Sequence, residues 1–191
     1  MKKSIFNIVS GLTLSLAVSG VFAGENQAMH DEARANAMKL GKSLKTTLQS
    51  AMKAGGPVAA VKACNTSADP IASKVAAESG WAVGRTSLKL RNPNNAPDDW
   101  ELTVLNKFEE RKAAGESPKT LEFSETVMVD GKKTFRFMKA IPTGEVCMNC
   151  HGGDQVKAEV AETIKGFYPD DEARGFKPGD LRGAFTLSKT L

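Results

Sequence analysis

Glu125-Thr126-Val127-Met128-Val129-Asp130-Gly131-Lys132-Lys133-Thr134-Phe135-Arg136-Phe137-Met138-Lys139-Ala140 is the stretch that decides the fold. Residues rich in β-branched and aromatic side chains flank Asp130-Gly131, a dipeptide suited to the positive backbone angles of a two-residue turn. The pattern predicts a hairpin with strands over 125–129 and 132–140. Val127, Val129, Phe135 and Phe137 are expected to share its buried face.

Upstream the period is that of helices. Leu40, Leu44, Leu48 and Met52 recur every four residues, so 31–54 reads as one amphipathic helix with Asp31 and Glu32 in its first turn. Gly55-Gly56 ends it, and Pro57 opens a short helical stretch in which Val58, Val61 and Cys64 share a face. Asp69-Pro70 reads as the cap and first residue of another helix, stopped by Gly80. A strand is expected over 81–89, then a polar loop over 91–98 capping a helix whose inward residues are Trp100, Leu102, Val104, Leu105 and Phe108.

Downstream, Pro142-Thr143-Gly144 turns the chain, 156–164 predicts a short helix, 168–180 a loop, and 181–188 a closing strand. Helices followed by a hairpin and a last strand predict an α+β fold, N-terminal helices packing on a small antiparallel sheet.

Between the hairpin and the last helix lies Cys147-Met148-Asn149-Cys150-His151, a C-x-x-C-H signature of c-type haem attachment. The thiols of Cys147 and Cys150 would each add to a haem vinyl group, placing the His151 imidazole as the proximal iron ligand. The competing readings are weaker. A thioredoxin-like redox pair needs a βαβ context that is missing here, and a zinc ion would be chelated awkwardly by adjacent Cys150 and His151. A plain Cys147–Cys150 disulfide leaves His151 without a role.

The chain has 191 residues, enough for one domain with its own core, and a formal charge of +4 without a clustered basic face of the kind that binds nucleic acid. Residues 1–23 read as a secretory signal peptide, with Lys2 and Lys3 ahead of an apolar run and cleavage expected after Ala23. The remaining domain would be 24–191, periplasmic and without a membrane span. Export agrees with C-x-x-C-H, because covalent haem attachment in bacteria takes place outside the cytoplasmic membrane.

The second axial ligand decides the chemistry: a methionine raises the potential, a histidine or thiolate lowers it, and an open site admits small molecules. Candidates are His30, Cys64, and methionines such as Met128 and Met138. His30 lies early in the mature chain, and buried methionines usually fill cores. Cys64 is left over once two of the three cysteines are committed. Arg85, Arg91 and Arg182 are candidates for contacts to haem propionates. No distal acid–base pair is recognisable to support a haem enzyme such as a peroxidase.

Four stretches carry a resemblance: Ala63-Cys64-Asn65, residues 85–98 (Arg-Thr-Ser-Leu-Lys-Leu-Arg-Asn-Pro-Asn-Asn-Ala-Pro-Asp), residues 146–152 around the two cysteines, and residues 175–184 (Gly-Phe-Lys-Pro-Gly-Asp-Leu-Arg-Gly-Ala). On these the chain resembles the PAS-like c-type haem domain family, catalogued as a domain of unknown function. The resemblance implies a PAS-like antiparallel sheet and His/Cys ligation of one haem c, with the axial cysteine falling on Cys64 and the histidine on His151. Similar domains occur as extracytoplasmic sensor parts of signalling proteins, whereas no kinase or methyl-accepting segment is found in this sequence. The expectation is a low-potential redox or small-ligand (CO or NO) sensing module, with a periplasmic electron-transfer cytochrome, docking a redox partner protein, as the alternative.

Overall fold

In the computed structural model, which describes residues 19–191, the hairpin forms where the sequence places it. Its strands are β2 (Glu122–Val129) and β3 (Lys132–Pro142), joined by Asp130 at φ 49° and Gly131 at φ 75°. Those angles match the right-handed twist of the flanking strands. The two-residue turn fixes the register, pairing Val129 with Lys132, Val127 with Thr134 and Thr126 with Phe135. Directly paired residues share a face. Val127 and Val129 therefore do not lie with Phe135 and Phe137, as expected above, but on the opposite side, where Val129 is exposed.

A short strand β1 (Ala82–Thr86) and the last strand β4 (Leu181–Thr190) complete a four-stranded antiparallel sheet in the order β1-β4-β3-β2. The fold is α+β and consistent with a PAS-like arrangement. Its central strands are covered on both faces. On one, Phe135, Phe137 and Leu187 pack with Trp81 against Ala33 and Ala37 of helix α1 (Ser19–Ser79). On the other, Met138, Ala140, Leu181 and Ala184 meet Val104, Leu105 and Phe108 of α2 (Asp99–Ala113). Each large side chain so buried contributes about 1.5–3 kcal/mol. Helix α2 starts on a capping box between Asp98 and Glu101, and Glu101 also receives the Thr186 hydroxyl at 2.6 Å, tying the cap to the sheet. Leu102, expected inward, is exposed instead.

Helix α1 bends at Gly55 and Gly56, the latter in the left-handed region at φ 68°. The second arm doubles back along the first, where Lys39 pairs with Glu78 across the bend. Helical structure begins upstream of Asp31 and runs through Asp69-Pro70 without a break, contrary to the boundary expected there. Val61, Ala68 and Val75 are buried at a spacing of seven, one stripe that continues past the proline. Packing of that stripe outweighs the local cost of Pro70.

After β3 come a 3-10 turn (Glu145–Cys147), the single-turn helix α3 (Met148–His151) and α4 (Ala158–Phe167), which packs Val160 and Ile164 on Val61 of the second arm. Residues 1–18 of the expected leader lie outside the described residues. Among those described, no helix is long and apolar enough to cross a membrane.

Candidate functional site

The three segments singled out by their chemistry converge on one cavity of about 310 Å³, open to solvent on one side. The doubled-back arms of α1 supply one wall with Leu44, Leu48, Val61 and Cys64. The sheet supplies Arg85 and Phe185, and the C-x-x-C-H turn supplies Cys147, Cys150 and His151. Two glycines permit close approaches around the cavity, Gly41 between the first arm and the sheet and Gly183 between the paired strands β4 and β1. A Cβ on Gly41 would stand 3.0 Å from the Phe185 ring, and one on Gly183 would run into the Thr86 carbonyl.

His151 is held in one tautomer. Its Nδ1 lies 2.9 Å from the Ala173 carbonyl, which can only accept, so Nδ1 carries the proton and Nε2 is left with a free lone pair. Burial, reinforced by the Arg182 and Arg91 charges, holds its pKa well below the ordinary imidazole range, against the raising effect of the Ala173 hydrogen bond. A neutral imidazole whose Nδ1–H is fixed by a carbonyl is the state that binds a metal through Nε2. In this arrangement Nε2 meets the Nε of Arg182 at 3.5 Å, a long contact that a metal would displace.

The loop from Tyr168 to Asp180, polar and turn-rich in sequence, closes over the back of this histidine. Gly175 N–H donates to Gly152 O and Phe176 N–H to His151 O, each at 3.0 Å, and the Phe176 ring stands edge-on to the imidazole. Arg91 pins the same loop. Its guanidinium forms a bidentate pair with Asp171 (2.9 and 3.1 Å) and donates to Cys150 O at 2.6 Å and Ala173 O at 3.2 Å. Asp171 and Ala173 were invisible to sequence reasoning and Phe176 entered it only within the 175–184 stretch, because their roles exist only once the loop has folded.

All three cysteines are free thiols. Cys64 is open to the cavity rather than sealed in the helix interface, though the surrounding protein raises its pKa, with Arg85 and Arg91 pulling the other way. Burial likewise raises Cys150. His30 lies elsewhere, edge-on to Phe137 and 3.6 Å from Glu122, while Met138 is fully buried in the α2 core and Met128 is exposed at the hairpin end. Of the second-ligand candidates weighed individually, Cys64 is in the cavity wall; His30, Met128 and Met138 are not.

Among the described residues, no three His, Cys, Asp or Glu side chains are grouped to hold a bare metal ion. The cavity offers an imidazole and a thiol from separate elements, and a metal held between them would need its remaining ligands from a bound group. Lys45, Arg85, Arg91 and Arg182 line it against one acid, Asp69. Burial lowers the pKa of Arg182 to about 10 and lowers that of Arg85, yet both stay charged at neutral pH. Arg182 is braced by Ser87 Oγ at 2.9 Å and Lys89 O at 3.2 Å. An apolar slot with an excess of cations, a pair of thiols and a ready imidazole fits a flat, anionic, metal-bearing cofactor.

A family model described as Tll0287-like (Tll0287) matches residues 23–189. The chain is also similar to a solved structure, that of the cyanobacterial heme-protein Tll0287, with 26% identity and a TM-score of 0.58; 80% of this chain and 91% of that one are covered. No curated protein matches.

Proposed function

From the fact that the chain belongs to the Tll0287-like family, we propose that it is an exported protein carrying one covalently attached haem c and used for low-potential redox or small-ligand (CO or NO) sensing. The haem character of the solved relative supports the cofactor, and C-x-x-C-H supports its covalent attachment. Cys147 and Cys150 would form the thioethers and His151 Nε2 the proximal bond. Cys64 would supply the second protein ligand to the iron, and Arg85 and Arg182 would hold the propionates. The bound haem would supply a one-electron iron couple, and an imidazole–thiolate ligand pair sets such a couple low.

One observation carries the reading: Cys64 and His151 line one cavity from two elements that are far apart in sequence. Cys64 stands on the arm beyond the Gly55–Gly56 bend, so a change in its attachment has a helix to move. Ferric electron paramagnetic resonance is the test. The parent protein should show a low-spin thiolate signature, and Cys64→Ala should lose it while haem stays covalently bound in a pyridine haemochrome assay. An unchanged spectrum would remove Cys64 as ligand.

A second reading, periplasmic electron transfer, is favoured by charge. Lys42, Lys45 and Lys53 share one exposed face of α1, and Lys45 reaches the cavity rim. This face suits docking of an acidic redox partner. The reduced protein should bind CO with a change of coordination if it senses. Failure to bind CO, with fast electron exchange, would favour the second reading.

A further inference from the structure

The Arg91–Asp171 pair is more elaborate than a loop staple needs to be. Both side chains are nearly buried, at 12% and 7% exposure, and a bidentate ion pair in that setting is costly to desolvate unless its remaining donors are used. They are used on the backbone that surrounds His151. Arg91 NH2 donates to the carbonyl of Cys150, the residue before the imidazole, and to the carbonyl of Ala173, which itself accepts His151 Nδ1–H. Asp171 Oδ1 in turn accepts the Ala173 N–H at 3.1 Å. Ala173, whose carbonyl orients the imidazole, is thus gripped by a cation at its C=O and an anion at its N–H, on the two peptide groups that flank its Cα.

We propose that Arg91 and Asp171 are a positioning pair that fixes the His151 ring and sets the electron-donating strength of its Nε2, and with it the potential of the metal bound there. The inference rests on the haem reading above. Two physical effects act in the same direction. Arg91 draws electron density from the Ala173 carbonyl, weakening it as an acceptor, so His151 keeps its Nδ1 proton more fully and is a weaker donor to iron. The Arg91 charge also disfavours the oxidised, more positive metal. Both effects raise the potential, and Asp171 offsets the second.

The experiment measures reduction potential and covalent haem content together in the parent protein, Arg91→Gln, Arg91→Lys and Asp171→Asn. Arg91→Gln should shift the potential down, because an unopposed Asp171 and a freed carbonyl both favour the ferric state. Asp171→Asn should shift it up, because Arg91 is then uncompensated. Arg91→Lys keeps the charge but loses the fork, and should fall between parent and Arg91→Gln. A purely structural staple would lower haem content in all three variants without splitting the potentials in sign. Shifts in the same direction, or none, overturn the proposal. If Arg91→Gln does not accumulate, the isosteric Asp171→Asn decides alone by its sign. A parent protein without covalent haem would instead sink the haem reading itself.

Discussion

Gly183 occupies a backbone position no other residue fits. Its φ of 152° lies outside the range L side chains readily adopt, and a Cβ would collide with the Thr86 carbonyl and crowd Ser87. The consequence reaches the site, because Thr86 and Ser87 line the cavity and Ser87 Oγ braces Arg182. Gly183→Ala should lower stability by at least about 2 kcal/mol, the usual scale for combined strain and overlap. It should also disturb the Arg182 position. Thermal unfolding checks the first, and a melting temperature equal to the parent's would refute it. Residues of this sort set the limit of sequence reading. The two thiols and His151 announce themselves by spacing, and Cys64 by being left over. Arg91 was visible as a loop arginine that could meet a propionate, but not as the clamp behind His151, since its partners Asp171 and Ala173 are 80 and 82 residues away along the chain.

At the level of elements, turn chemistry was the most legible signal and packing the least. Asp130-Gly131 located the hairpin, and Gly55-Gly56 located the bend in α1. The register was also implicit. A two-residue turn forces Val127 opposite Thr134, so the valines belong to the face of Met138 rather than that of Phe135. Pro70 misled because its local preference is real and is overridden by the Val61–Ala68–Val75 stripe, which gains more by burial than the proline costs. That reading makes a clear expectation. Pro70 is exposed and sits inside a helix, so Pro70→Ala restores a backbone donor without emptying any packed volume. The intrinsic gain is up to about 3 kcal/mol, reduced by the greater freedom of the unfolded alanine chain. A net rise of about 1–2 kcal/mol in stability should appear in denaturant unfolding. A fall would mean that the proline shapes the arm carrying Cys64 in a way the fold needs.

Across the whole molecule, the helical wall of the cavity is tied to the sheet by charge as well as by apolar packing. Glu122 of β2 receives Arg34 of α1 at 2.6 Å and Lys139 of β3 at 2.7 Å, with His30 close by, so one carboxylate joins the first arm of α1 to the sheet. Burial alone would push its pKa up; the hydrogen bonds and charges of Arg34 and Lys139 outweigh that and hold it below the ordinary 4.5. A depressed carboxylate stabilises the folded state above its unfolded value, and the contribution is lost as pH falls through the folded value. The window is therefore acidic, from about pH 4.5 downward. Below it the first arm loses this charged tie and keeps the apolar packing of Ala33 and Ala37 on the sheet, and that arm carries Gly41, Leu44 and Leu48 of the cavity wall. Glu122→Gln should cost stability at neutral pH, where the charge is missing. The difference from the parent should shrink to nothing as both proteins are taken through the acidic window. Melting temperatures of the pair between pH 3 and pH 7 give the answer. A difference that stays constant over that range would show that Glu122 acts there through shape and not through charge.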